Sequence, residues 1–383
     1  MRTTTSVSAA TLLAASIALG ACSSSDDASP SSAAPTSTGD GAPAVVAGEP
    51  FPDERCAANE DAGTVTFLTG FDFAAASSIV EVLTADAAGY YDELCLDVEI
   101  RPGFSSANYP LVASGNAQFA SGGSFGEVVA FDRANDADFL VASVDGRTTI
   151  DTLIVRAGEV AELGDLRGSV IGVKGRLPAS IDVMLRSAGL VEGTDFDTVL
   201  LDGFDPVAHL EQPIEALPGW KSNEVGALER AGVAIQTFDP LDAGVPGSFG
   251  VIFTSAAFVD EHPTAAVDFM RATARGLADA VADPAAAASV AVDAIDAGGN
   301  PNFLSPEGET FRWRTEADLI TSGTPEDVGF GVPDGLSLEA EVTDYAQTGL
   351  FGDGDVSIDV TSYIEPTLLA EVYDDAGVVV WPA

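Results

Sequence analysis

Short aliphatic runs alternate along this chain with stretches whose apolar residues recur at helical spacing, and glycines or polar turns separate the two. Thr64–Leu68 is β-branched and apolar and predicts a first strand. A turn follows, Thr69-Gly70-Phe71-Asp72-Phe73, and then Ser77 and Ser78, which suit the cap of a helix that stops at Gly89. Residues 96–100 predict a strand, 109–114 a short helix, 117–120 a strand, 127–133 a helix and 139–144 another strand. A second series then begins. Strands are predicted at 152–155 and Val170–Val173, and the turn at 174–180 feeds a helix that ends at Gly189. A strand at 198–201, a helix at 206–212, a short strand and turn at 215–220, a helix at 224–232 and a strand at 233–237 complete it. Strict alternation of strand and helix argues an α/β fold with mainly parallel strands.

After residue 255 the pattern becomes helical. Val267, Met270, Ala274, Leu277 and Val281 share one helical face within residues 257–297. Breaks fall at Pro263, which suits a first helical position, and at Asp283-Pro284. Residues 336–348 and 361–374 predict two more helices. After residue 22 there is no membrane-length apolar run, and no internal repeat is visible.

The amino terminus has another pattern. Arg2 precedes an apolar segment over 7–19, too short for a comfortable membrane span, and Leu19-Gly20-Ala21-Cys22 matches a lipobox. Residues 1–22 are therefore expected to be a lipoprotein signal peptide, with Cys22 acylated and holding the chain to the outer face of the cell membrane. Residues 23–60, rich in Ser, Pro, Ala and acidic side chains, are expected to be a disordered tether. Cys56 and Cys95 then remain in an oxidising compartment, which predicts a disulfide between them.

Charge narrows the partners. The 383 residues carry 60 acidic against 16 basic side chains, a formal net of -44. Such a polyanion repels nucleic acid and anionic lipid, and the even spread of the acids reads as a solvation adaptation. Lys174 and Lys221 are the only lysines.

Several segments carry candidate chemistry. Gly122-Gly123-Ser124-Phe125-Gly126 fits G-x-S-x-G between a strand and a helix, the place of a hydrolase nucleophile. A triad needs a histidine, and only His209, inside a predicted helix, and His262, before Pro263, exist. The preferred reading makes Ser121, Gly123, Ser124 and Phe125 a cradle that presents backbone N–H groups to a ligand. Phe71, Asp72 and Phe73 lie in the first strand-to-helix turn, as core or as a platform for a planar ring. Trp220-Lys221-Ser222-Asn223-Glu224 gathers an aromatic, a cation, an amide and a carboxylate. In a cleft, Glu224 would accept from an amine or a ring N–H beside the two-sided amide of Asn223, and the plainer alternative is a solvated helix cap. Lys174 and Arg176, at a helix start, would hold an anion or serve as simple surface charge. Asp353, Asp355 and Asp359 lack the glycine position and closing glutamate of a calcium loop, and no metal or cofactor motif is present.

Taken in order, these pieces resemble the substrate-binding proteins of the nitrate, sulfonate and taurine ABC importers, including the thiamine-pyrimidine-precursor-binding branch. The resemblance runs from Thr64 to the carboxyl terminus. It is carried by residues 85–89 with Tyr90-Tyr91, by residues 112–119, by Gly164-Asp165-Leu166-Arg167-Gly168 leading into Val170–Val173, by Ile214-Glu215-Ala216 with Ser222-Asn223-Glu224, and by residues 261–284. Gln118 stands where the family usually has an acid, the tryptophan common after the first strand is missing near Phe71 and Phe73, and the cysteine cluster of eukaryotic enzyme members is missing. The resemblance implies a type II periplasmic-binding-protein fold: residues 61–145 with 255–383 as one α/β lobe, 146–254 as the other, a two-strand hinge, and a cleft formed by the turns at 70–73, 121–125, 174–179 and 220–224. It implies an extracytoplasmic, monomeric solute-binding component that works with membrane permease subunits, without catalysis or cofactor. A planar nitrogen heterocycle such as a pyrimidine is the favoured ligand, and a sulfonate, taurine or nitrate-like anion is next. An esterase built on Ser124 is the rival class, and a ligand sensor is a third reading.

Overall fold

The computed structural model describes residues 42–300, 305–352 and 357–383. The signal peptide, Cys22, most of the expected tether, Asp353 and Asp355 lie outside the described residues.

Among the described residues, ten strands form two mixed sheets. The first contains β1 (Thr64–Leu68), β2 (Asp97–Arg101), β3 (Phe119–Ser121), β4 (Phe139–Gly146) and β10 (Phe249–Ser255), in the order β2-β1-β3-β10-β4. The second contains β5 (Asp151–Arg156), β6 (Val170–Val173), β7 (Asp197–Leu200), β8 (Ala216–Trp220) and β9 (Ile235–Phe238), in the order β7-β6-β8-β5-β9. β1 pairs parallel with β2 and β3, and β6 parallel with β7 and β8. β10 pairs antiparallel with β3 and β4, as does β5 with β8 and β9.

The expectation of mainly parallel strands holds for four strands of each sheet, and one strand in each, β10 and β5, runs the other way. The chain leaves the first sheet after β4 and enters the second with β5, and it returns from β9 to β10. Each inserted strand runs against both neighbours. Hydrophobic period reports that a segment is a strand, not the direction in which it enters a sheet.

The core is aromatic and aliphatic. Phe119 stacks on Phe269 of the Pro263–Ala282 helix at 4.3 Å between ring centres, and Tyr91 stacks on the same ring at 5.3 Å. The expected long helical region is three helices, Ala256–Glu261, Pro263–Ala282 and Pro284–Gly298, each break falling at a proline.

Three segments depart from expectation. Residues 53–60 are not tether: Asp53–Asp61 is a helix whose Arg55 and Asn59 are buried. Arg55 Nε meets Asp268 Oδ2 at 2.6 Å, Asn59 donates to the same oxygen and to Leu94 O, and Cys56 is disulfide-bonded to Cys95. Polar composition hid a helix whose polar groups have buried partners. The Pro306–Gly323 helix also lacks a clear apolar signal, because its inward face includes Glu309, Arg312 and Glu316 beside Trp313 and Ile320. Residues 361–374 hold only the short helix Thr367–Ala370, after a 3-10 turn at Val360–Ser362 that Asp359 caps.

Candidate functional site

The loops that follow the parallel strands face a cavity of about 540 Å³. Gly70 and Phe71 follow β1, and Ser121 to Ser124 follow β3. Lys174 to Arg176 follow β6, and Trp220 closes β8. Asp151 opens β5 and Phe249 opens β10, so the chain passes the cavity each time it changes sheets. In open α/β sheets this carboxyl-end crevice is where ligands sit.

The first wall is built on serines. Ser77 and Ser78 do not cap the Val80–Ala87 helix, whose N-cap, Ile79, makes no side-chain cap bond. Ser77 instead donates from its N–H and its hydroxyl to Glu316 Oε2, at 2.6 and 2.9 Å. Ser78, at φ 61°, gives its N–H to Asp145 Oδ2 and pairs its hydroxyl with Ser121. Gly250 faces this turn at φ +66°, and a Cβ there would lie 2.4 Å from Ser77 Cβ. The chain can pass so close only without a side chain.

Ser124 caps the Phe125–Asn135 helix: its hydroxyl accepts from Glu127 N–H and Glu127 Oε2 accepts from Ser124 N–H. Gly123 leaves space for that carboxylate, since a Cβ there would fall 1.9 Å from Glu127 Oε2. Neither histidine serves as a base here. His209 is buried with Nε2 at 2.9 Å from Asp202 O, and His262 sits between two helices beside the Phe258 ring. The pattern that suggested a nucleophile is a capping box.

The second wall carries the charges. Lys174 Nζ donates to Glu224 Oε1 at 2.7 Å, and Arg176 Nη2 meets Glu127 Oε1 at 3.1 Å. Burial raises the Glu224 pKa, but the Lys174 charge and hydrogen bond and the Trp220 N–H outweigh it, and the net shift is downward. Both cations on the cavity wall therefore already face carboxylates. Glu316, from the Pro306–Gly323 helix, accepts from Ser222 as well as Ser77 and joins turns of the two sheets.

Of the residues expected to touch ligand, Phe71, Ser121, Gly123, Ser124, Lys174, Arg176 and Trp220 line the cavity. The others do not. Asp72 accepts from Asn300 N–H, and Phe73 packs in the core. Phe125 is fully buried and gives its N–H to Ser248. Lys221 binds Thr149 O and Asp239. Asn223 accepts from Arg312, and both Glu224 oxygens are taken, by Lys174 and by Trp220 N–H. The polar ones among them, Asp72, Lys221, Asn223 and Glu224, are each bonded to a protein partner. The sequence reading missed Asp151, Ser180, Phe249, Glu316 and Tyr345, which all line the cavity. Their local sequence carries no motif; tertiary register brings them there.

Residues 76–287 match the family model described as NMT1/THI5 like. The chain belongs to the NMT1/THI5-like family. Among curated relatives, 127 residues are 29% identical to the riboflavin-binding protein RibY of Chloroflexus aurantiacus, over 33% of this chain and 36% of that protein's length. Among solved structures, the ligand-binding component of an ABC-type import system from Staphylococcus aureus superposes with TM-score 0.58 at 14% identity, over 80% of this chain and 98% of that one. The periplasmic aliphatic sulphonate binding protein SsuA of Escherichia coli gives 0.56 at 14%, over 79% and 92%. The desulfurization enzyme DSZB gives 0.54 at 14%, over 80% and 98%. At these identities the superpositions establish the fold, which this NMT1/THI5-like chain shares with periplasmic binding proteins.

Proposed function

We propose that this protein is the extracytoplasmic solute-binding component of an ABC importer, held to the membrane through a lipidated Cys22, and that its ligand is a planar nitrogen heterocycle. In this reading β1–β4 with β10 belong to one lobe and β5–β9 to the other. The links between β4 and β5 and between β9 and β10 act as the hinge, and the lobes close over a single solute without chemistry.

One observation carries the ligand class. The cavity offers aromatic faces, Phe71, Trp220 and Phe249, and many oxygen acceptors, while Lys174 and Arg176 already face Glu224 and Glu127. Several serine hydroxyls around it donate to protein acceptors: Ser77 to Glu316, Ser105 to Gly70 O and Ser180 to Asp151. A sulfonate or nitrate needs free donors and would find few. A flat ring with N–H groups finds faces to stack on and oxygens to meet. The riboflavin-binding name of the curated relative agrees with this class, and the sulphonate-binding name of a fold neighbour supplies the competitor.

The test is a thermal-shift and calorimetric screen with riboflavin, 4-amino-5-hydroxymethyl-2-methylpyrimidine, taurine and nitrate. A true ligand at a hundred times its Kd adds about 2.7 kcal/mol of stability. Stabilisation by a heterocycle and not by taurine or nitrate is expected. Stabilisation by the anions alone would refute the heterocycle assignment.

A further inference from the structure

Three carboxylates line the cavity: Glu127, Asp151 and Glu316. Glu127 faces Arg176 and accepts from Ser124 N–H. Both Glu316 oxygens have donors, Ser222 on one and Ser77 on the other. Asp151 differs. Its Oδ2 accepts from the Ser180 hydroxyl at 2.6 Å, and its Oδ1 meets no donor among the described residues. The nearby Lys221 ammonium turns instead to Thr149 O and Asp239. Ser180 therefore holds the carboxylate by one oxygen and leaves the other for the cavity.

Register supplies the neighbour. Asp151 is the cross-strand partner of Trp220 in the antiparallel β5–β8 ladder. Partners in such a ladder stand on the same side of the sheet, with Cβ atoms about 4.5–5.5 Å apart. An aromatic face and a carboxylate oxygen thus adjoin on one wall of the same cavity.

We infer that Asp151 Oδ1 is the acceptor for an N–H at the edge of the ligand's ring, with Trp220 stacked on the ring, so that the protein selects heterocycles that present an imide or amidine N–H edge. This rests on the heterocycle reading above and narrows it. Asp151 Oδ1 is open to the cavity, and a ligand N–H that meets it forms a charge-assisted bond. An anion placed there would meet like charge. Burial raises the Asp151 pKa to about 6, with Glu127 and Glu224 adding to it and Ser180 and Lys221 opposing, so the group is ionised at neutral pH.

The experiment titrates the full-length protein and its Asp151→Asn variant with riboflavin and with 4-amino-5-hydroxymethyl-2-methylpyrimidine, and with the same rings methylated at the N–H edge. For whichever probe the unmodified protein binds, Asp151→Asn is expected to weaken binding at least tenfold without lowering the unfolding midpoint of the ligand-free protein. Methylation is expected to weaken binding by the unmodified protein as much, and to cost the variant little more, since the two changes remove one interaction. Equal affinity of protein and variant, or full additivity of the two changes, overturns the Asp151 assignment alone. Tight binding of the methylated ring by the unmodified protein overturns it without any variant. Binding of neither ring by the unmodified protein overturns the heterocycle reading and this inference with it.

Discussion

Beneath the serine wall lies a carboxyl pair whose protonation sets a pH dependence. Glu81 is 1% exposed and neither of its oxygens meets a donor; Asp145 is 1% exposed, and only its Oδ2 does, from Ser78 N–H at 3.0 Å. The two face a cavity of about 10 Å³ with Ser143, whose hydroxyl also lacks a partner, and no cation lines it. Burial first, and the Asp145 charge second, push the Glu81 pKa well above the carboxylate range. The pair is therefore held with a proton on Glu81 in the folded protein. Unfolded, that carboxyl ionises near pH 4.3, roughly the value for a free glutamate. Its folded-state pKa is raised, so its contribution is fully present below the unfolded value and is lost as pH rises toward the folded one. Each pH unit over that window removes about 1.4 kcal/mol for one retained proton.

Glu81→Gln puts a neutral donor in place of the protonated carboxyl. The stability of Glu81→Gln relative to the unmodified protein should rise with pH, by up to about 1.4 kcal/mol per unit. The assay is urea unfolding of both proteins from pH 5 to 8 with the disulfide intact, and the quantity read is the difference between the two curves. A difference that stays constant with pH would refute the shared-proton account. The effect reaches the candidate site because Asp145 holds Ser78, which lines the larger cavity.

Two further outcomes follow from the same structure. Lys174→Ala leaves Glu224, 6% exposed, without its cation; since Lys174 itself is partly exposed, the loss in chemical unfolding should be about 2 kcal/mol, below the range for a wholly buried pair. Replacing Cys56 and Cys95 together by serine opens a loop of 39 residues, and the chain-entropy relation gives a loss of about 4 kcal/mol, read as a lower urea midpoint with little change in ligand affinity.

The alternation of strand and helix, the prolines that divide the carboxyl-terminal helices and the order of family-like segments are local properties, and the sequence by itself determined them. They suffice for an α/β binding-protein fold and for the turns at 70–71, 121–124 and 174–176 that reach the cavity. The reversed course of β5 and β10, the buried faces of Asp53–Asp61 and Pro306–Gly323, and the partner of each polar residue were decided only by tertiary structure. The protein partners of Lys174, Arg176, Asn223 and Glu224 are not legible in a linear reading, because residue type shows what a side chain can bond and not which partner meets it. Asp151 is a second case. No motif surrounds it, and its place beside Trp220, 69 positions along the chain, comes from the register of two strands, about the least local property a sequence encodes.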